Sequence, residues 1–303
     1  MTESVEADSD GDTAGDRVIE RLRAAGCVFA EDEARLLAAE APSPVALQQL
    51  VERRVAGEPL EQVLGWAEFC GLRLAVEPGV FVPRRRTELL VRSAAARCRP
   101  GDLVVDLCCG VGAIMAGLLE HIQPLELYGS ELDPTAVSCA RRNLGPRATL
   151  AVGDLFDPLP DSLRGSVNLI TANAPYVPTD QIAFMPSEAR DHERRAALDG
   201  GPDGLELHRR IIAESASWLV SGGWLLIETG RDQADRDRTL MTDSGFTAEV
   251  IGDAEISGTV VIGHRPRTWI QADRQRPEDA SDKGLAPTDA PDDHGDRDHI
   301  PGR

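Results

Sequence analysis

Seven short apolar runs, spaced through residues 103–263 with helical stretches between several of them, constrain this chain more than any other feature it has. They are Leu103 to Leu107, Glu126 to Ser130, Ala148 to Val152, Val167 to Ala172, Trp224 to Glu228, Thr247 to Ile251 and Thr259 to Gly263. Apolar strands alternating with helices predict a parallel sheet joined by crossover connections. The last two runs have no helix between them and suit an antiparallel hairpin at the sheet edge. The predicted fold is α/β with a doubly wound, mostly parallel sheet, and such sheets bind ligands in the crevice beyond the carboxyl ends of their strands.

What precedes the sheet reads differently. Val18, Leu22, Ala34, Leu37, Ala38, Val45, Leu47, Leu50, Val51 and Val55 recur at helical spacing, which predicts a small helical domain over residues 15–57. Residues 58–88 read as a linking β-hairpin, with Leu72, Leu74 and Val76 on one strand, a turn at Pro78-Gly79, and Val80, Phe81 and Val82 on the other. The catalytic domain is expected over 89–268, between an acidic tail at 1–14 and a polar tail at 269–303, both poor in apolar residues and read as disordered.

Charge narrows the function classes. The formal net charge is −19, of which residues 1–16 carry −6 and residues 271–303 carry −4, so the body is acidic as well. Binding to duplex phosphates rests on clustered Lys and Arg, and no basic face is legible, which argues against a nucleic-acid partner. Six scattered cysteines without a CxxC pair suit reduced thiols in the cytoplasm. No run approaches 18 apolar residues, so no membrane span is expected. No metal-ligand pattern is legible either, and a monomer is the default expectation.

The chemistry gathers at strand ends. In VVDLCCGVGAIMAGLL a strand ends near Asp106, and Gly110 and Gly112 allow a tight turn, close ligand approach and a helix start with free amides. A packing turn is the plainer reading of that stretch alone. Glu131 closes the next strand, where a carboxylate can accept from the vicinal hydroxyls of a ribose. Asp154 closes the third, placed to accept from an exocyclic amine of adenine, with Leu155 beside the ring. Asp133, followed by Pro134, reads as a helix N-cap.

The fourth strand runs into Asn173-Ala174-Pro175-Tyr176. The Asn173 side-chain oxygen and the Ala174 carbonyl can take the two N–H bonds of a planar amine or amide, and Tyr176 offers a flat face to it. The residue before Pro175 is held extended, which aims its carbonyl outward. This grip suits methyl transfer to nitrogen, in which the proton leaves after the new bond forms and no strong base is needed beforehand. His192 is accordingly read as a loop residue.

Over about residues 16–265 the chain resembles the HemK/PrmC family of protein (glutamine-N5) methyltransferases. The matching stretches are GEPLEQVLGWAEFCGLRL, PGVFVPRRRTELLV, DLCCGVGAI, SELDP, VGDLF, NAPYVP and ALDGGPDGL. The resemblance implies a Rossmann-like class I methyltransferase domain with a seven-stranded sheet and a small N-terminal helical domain. Its cofactor would be S-adenosyl-L-methionine, contacted by Asp106, Cys108, Cys109, Gly110, Val111, Gly112, Glu131, Asp154, Leu155 and Asn173. Asn173, Ala174, Pro175 and Tyr176 would hold the acceptor, with Asn173 and Tyr176 as catalytic residues. The implied partner is a protein carrying a glutamine, best known in this family as a peptide-chain release factor.

Three departures from the family pattern stand out. NPPY is NAPY here, Cys108 and Cys109 replace the first glycine of the DxGxGxG loop and its neighbour, and PRPxTE reads Pro83-Arg84-Arg85-Arg86-Thr87-Glu88. They leave open methylation of a nucleic-acid base amine, of a small-molecule nitrogen, and a non-catalytic cofactor-binding role.

Overall fold

The computed structural model describes residues 9–267; residues 1–8 and the expected tail at 269–303 lie outside the described residues. Helices α1 (Ser9–Ala24), α2 (Ala30–Glu40), α3 (Pro44–Val55) and α4 (Leu60–Leu64) come first. Leu22, Ala34, Leu37, Val51 and Val63 form their shared core. Ser43 caps α3, its Oγ accepting from the Ala46 N–H at 3.2 Å, and Pro44 sits at the first helical position, where a missing N–H costs nothing. α1 begins at Ser9, inside the stretch read as an acidic tail; once a helix is nucleated, each added residue gains a hydrogen bond for little further cost.

Strands β1 (Trp66–Phe69) and β2 (Leu72–Ala75) pair antiparallel. Their turn is Cys70-Gly71, with φ of 51° and 73°, the two left-handed residues that a tight hairpin turn demands. The turn expected at Pro78-Gly79 is therefore misplaced, and Val80, Phe81 and Val82 form no hairpin strand. The cause is Gln62: its side chain accepts from the Gly79 N–H at 3.1 Å and donates to the Val80 carbonyl at 2.9 Å, taking backbone groups a partner strand would otherwise satisfy.

The remaining elements are α5 (Glu88–Ala95), β3 (Leu103–Leu107), α6 (Ala113–His121), β4 (Glu126–Glu131), α7 (Pro134–Leu144), β5 (Ala148–Val152), β6 (Val167–Ala172), α8 (Ser187–His192), α9 (Glu206–Trp218), β7 (Leu219–Glu228), α10 (Ala234–Asp243), β8 (Thr247–Asp253) and β9 (Gly258–His264). His192 thus ends a short helix instead of lying in a loop. The large sheet runs β5-β4-β3-β6-β7-β9-β8, parallel from β5 through β7, with β9 antiparallel to both of its neighbours. All seven runs form strands, and the last two are the expected edge hairpin.

Side chains alternate between two apolar layers. Val104, Leu169, Leu226 and Val260 face Leu90, Val91, Met115 and Leu118 of α5 and α6. Val105, Ile170, Leu225 and Val261 face Ile211, Ile212 and Trp218 of α9 and Met241 of α10. Burial on both faces is why these strands read as continuous apolar runs.

Arg54 ties the first helices to α8. Its Nε lies 2.6 Å from Glu33 on α2 and its Nη1 2.7 Å from Glu188 on α8. No helix among the described residues is long and apolar enough to cross a membrane.

Register sets what the sheet presents. Leu107 pairs with Ser130 on one side and Ala172 on the other, and Ala172 pairs with Ile227. The next residues, Cys108, Glu131, Asn173 and Glu228, therefore leave four adjacent strands at one level. The chain reverses its winding direction between β3 and β6, which opens the crevice there.

Gly112 serves packing in this arrangement. Its φ is 78°, and a Cβ there would lie 2.7 Å from Leu144 Cδ1 on α7. Gly112→Ala is expected to cost about 2 kcal/mol or more, from overpacking plus left-handed strain, read as a lowered urea midpoint. An unchanged midpoint would refute this packing role.

Candidate active site

One cavity of about 440 Å³ opens over that row of strand ends. Nine of the expected site residues line it: Cys108, Gly110, Glu131, Asp154, Leu155, Asn173, Ala174, Pro175 and Tyr176. Its volume is that of an ordinary small-ligand pocket.

At one end the β3–α6 loop winds through left-handed residues at Cys108 (φ 53°) and Gly110 (φ 53°) before Gly112. A Cβ on Gly110 would meet nothing within 4 Å, so a ligand can come directly against this backbone. Cys108 holds the same conformation with a side chain, at a cost of about 1 kcal/mol. Its thiol is pushed up by burial first, then by Glu131 and Asp106, so it stays neutral.

Glu131 fixes the loop from below. Its two oxygens accept the Gly110 and Asp133 N–H groups, each at 2.9 Å. Burial raises its pKa, and those two N–H groups oppose the rise. Asp133 caps α7 as expected, accepting from the Thr135 N–H at 2.8 Å. Leu132 lies between them on the cavity wall, 60% exposed. Asp154 also lines the cavity, but Arg210 already bridges it, with Nη2 to Oδ2 at 2.7 Å, so any ligand donor shares that carboxylate.

Four expected cofactor residues stand behind the wall. Asp106 is fully buried, its Oδ1 accepting from the Thr171 hydroxyl at 2.7 Å while Oδ2 has no hydrogen-bond partner among the described residues. Strand parity is the reason, because Asp106 shares the face of Val104 and lies under α6, not at the strand tip. Cys109 and Val111 are buried in the layer beneath α6 and α7, and Gly112 packs against α7.

At the other end stands the Asn173 to Tyr176 turn. Asn173 Nδ2 donates to Thr87 Oγ1 at 3.2 Å, and that hydroxyl lies beside Glu228, whose pKa burial raises, a rise that the hydroxyl's hydrogen bond opposes. With the hydroxyl hydrogen turned to the carboxylate, Thr87 is left to accept, which sets the orientation of the Asn173 amide. Among the described residues nothing donates to Asn173 Oδ1 or to the Ala174 carbonyl. Two acceptors are thus left open at the cavity.

Glu228 organises this end. Its side chain is 1% exposed, and Oε1 accepts from Arg86 Nε at 3.1 Å and from the Tyr176 hydroxyl at 3.3 Å. Burial pushes the Tyr176 phenol up to about 12, with Glu228 adding to the shift, so the phenol donates and does not serve as a base.

Behind the turn sits the Asp199-Gly-Gly-Pro-Asp-Gly204 stretch. Asp199 accepts from the Thr179 hydroxyl at 2.6 Å and from the Gly201 N–H at 3.0 Å. A Cβ on Gly200 would lie 2.7 Å from the Pro175 carbonyl oxygen, so only glycine lets this stretch seat against the clamp. Gln233 Nε2 donates to the Tyr176 carbonyl at 2.9 Å and locks the far side.

Thr87, Glu228 and Leu132 were missed from the sequence. Glu228 was within reach: it ends the apolar run from Trp224, in the way Glu131 ends its own strand. Thr87 and Leu132 carry no comparable signal.

Sheet order and a cleft bounded by an acidic strand end and an Asn-x-Pro-Tyr turn define a class I methyltransferase. The family described as "Methyltransferase domain" matches residues 104–194. A Geobacter sulfurreducens protein named release factor glutamine methyltransferase is 40% identical over 204 residues, which cover 66% of this chain and 71% of that one. A Streptomyces pristinaespiralis protein named 4-amino-L-phenylalanine/4-methylamino-L-phenylalanine methyltransferase is 38% identical, over 63% of this chain and 68% of its own. A solved Pyrococcus furiosus methyltransferase superposes with a TM-score of 0.50 at 16% identity, covering 71% of this chain and 97% of that one, a likeness of fold. The chain belongs to the release factor glutamine methyltransferase family.

The cofactor of this class is S-adenosylmethionine, and the residues present fit it. Glu131 faces the cavity with acceptor positions to spare, Leu132 and Leu155 supply an apolar wall for a ring, and the loop at Gly110 can be approached closely.

Two outcomes follow from this geometry. Thr87→Val should lower kcat/KM for methyl transfer at least about tenfold by freeing the Asn173 amide, and Thr87→Ser should restore most of it; full activity of the valine variant would refute the orienting role. The second concerns Asp106, whose pKa burial pushes up to about 7. The unfolded carboxyl loses its proton near pH 4, so the native state holds an extra proton from there up to about 7, and stability falls across that window by up to roughly 4 kcal/mol. Asp106→Asn should therefore gain on the wild type between pH 4 and pH 8 in urea denaturation. A pH-independent difference between the two proteins would refute the shift.

Proposed function

We propose that the chain transfers the methyl group of S-adenosylmethionine to the side-chain amide nitrogen of a glutamine in a protein, a peptide-chain release factor being the partner that the relatives' names suggest. The observation carrying this reading is the pair of acceptors, Asn173 Oδ1 and the Ala174 carbonyl, on adjacent residues of the cavity wall and without a donor among the described residues, with Asn173 Nδ2 tied to Thr87.

An amide nitrogen is a weak nucleophile because its lone pair is delocalised into the carbonyl. Acceptors for both of its N–H bonds fix the group in place and favour electron density on nitrogen. Bound S-adenosylmethionine supplies a methyl group made transferable by its sulfonium. Tyr176 closes one face of the site and holds its own proton. The residues of this end grip and orient, and the proton leaves the product nitrogen once methylation has made it acidic. Six free cysteines in the described chain favour a reducing compartment, and we place the enzyme in the cytoplasm.

A second reading, an aryl amine on a free amino acid, draws on the name of the Streptomyces pristinaespiralis relative and on Arg84, Arg86 and Arg194 in the cavity wall. The same two acceptors serve that NH₂ group.

Purified protein, labelled cofactor and a release factor in a cytosolic extract should give one labelled protein band. Asn173→Ala should lose about 10²- to 10³-fold in kcat while its affinity for the cofactor stays within a few-fold. Label confined to nucleic acid, or an Asn173→Ala protein of full activity, would overturn the reading.

A further inference from the structure

We propose that Arg86 selects acceptors carrying a carboxylate beside the nitrogen to be methylated. This rests on the function proposed above and adds the chemistry of what flanks the reacting group.

Arg86 stands in the turn Arg85–Thr87 ahead of α5, on the cavity wall beside Asn173 and Tyr176. Its guanidinium is held by Glu228 and by the Tyr176 side chain. Nε donates to buried Glu228 at 3.1 Å, Cζ lies 5.9 Å from the centre of the Tyr176 ring, and the side chain keeps 39% exposure where its partner keeps 1%. Beyond Nε, two nitrogens carry four further N–H bonds, and Tyr176 engages this side chain as well. The Tyr176 phenol lies beside them, but among the described residues no second carboxylate pairs with Arg86.

The other arginines of the wall are differently placed. Arg84 pairs with buried Glu193, and Arg194 pairs with Asp133 at 3.0 Å. Of the acids of the wall, Glu131, Asp133 and Asp154 lie at the cofactor end of the cavity and Glu188 on α8 is paired with Arg54, so Arg86 is a cation at the acceptor end. A planar guanidinium with a free edge matches a carboxylate, and burial of its anchor fixes that edge in advance. An anion resting on the outer nitrogens is nearer to them than to Glu228 beneath, so attraction exceeds repulsion.

Such an anion would share the cavity with the clamped NH₂, since Arg86 and the Asn173 to Tyr176 turn line the same wall. Two sources place one there. One is an acidic residue next to the target glutamine, and the other is the α-carboxylate of a free amino acid whose aryl amine enters the clamp. A purely structural Arg86, present to neutralise Glu228, predicts no preference among acceptors.

The test uses the full chain with S-adenosylmethionine. One pair of blocked peptides carries a single glutamine flanked by Glu or by Ala, and a second pair is 4-amino-phenylalanine and its methyl ester. The ratio of kcat/KM, acid over neutral, is compared within each pair for wild type, Arg86→Gln and Arg86→Lys, with a release factor as the reference acceptor. A ratio above about ten in wild type is expected in at least one pair, falling to near one in Arg86→Gln and partly kept in Arg86→Lys. The pair that responds identifies the source of the carboxylate. Because each ratio is internal to one variant, destabilisation from an unpaired Glu228 cancels. Wild-type ratios near one, or methylation of the release factor with neither pair accepted, overturn the selection by Arg86 and leave the proposed function standing. Methylation of none of these acceptors by cofactor-loaded protein overturns both.

Discussion

The register of the parallel strands is the constraint on which the cleft depends. Leu107 against Ser130 and Ala172, and Ala172 against Ile227, bring the ends of β4, β3, β6 and β7 to one line. A two-residue slip of β6 would carry Asn173 about 7 Å along the strand, far outside hydrogen-bond reach of Thr87. A one-residue slip would turn Leu169 and Thr171 to the opposite layer and unpair the buried Asp106. The apolar layers thus enforce the register, and the register brings loops distant in sequence to a common edge.

That edge is not made of comfortable parts. Asp106 and Glu228 are carboxyls with no exposure to solvent, and Glu131 is held among backbone amides. An ionised carboxylate in such surroundings is several kcal/mol unfavourable unless donors surround it. The donors at Glu228 are Arg86 and Tyr176, with Thr87 close by, and two of these face the cavity. Satisfying the buried charge and orienting the acceptor site are therefore one arrangement. Asp106 takes the alternative course, since burial holds it close to neutrality with a single hydroxyl donor.

Much of this was legible in the sequence, for identifiable reasons. Strands buried on both faces leave continuous apolar runs, as in β3, β6, β7 and β9, and together with the half-exposed edge strands they could be placed to within a few residues, except for the early start of β7 at Leu219. The motif residues that reach the cavity are the last residue of a strand, Glu131, or those one or two steps past a strand end, Cys108, Asp154 and Asn173. Asp106 misled because it precedes that point and points inward. The hairpin was misplaced because Cys70 carries no turn signal, whereas Pro78-Gly79 does, and only the fold shows Gln62 occupying the backbone there. Thr87 and Glu228, 141 residues apart in the chain, meet only through the pairing of β6 with β7 and the packing of the turn before α5, a contact that no local pattern encodes.

The departures from the family pattern take on physical meaning in this frame. Replacing the first proline of NPPY by Ala174 removes a fixed φ from the clamp, yet the backbone there is confined from outside. Gln233 holds the Tyr176 carbonyl, the Val177 N–H donates to the Leu198 carbonyl at 3.0 Å, and the Gly200 N–H donates to the Val177 carbonyl at 2.9 Å. Ala174 itself is 1% exposed. The amide grip proposed for this site needs its acceptors immobile more than it needs any single residue to be stiff. Here immobility comes from glycines that admit a second backbone against the first, so the lost proline ring is replaced by tertiary confinement.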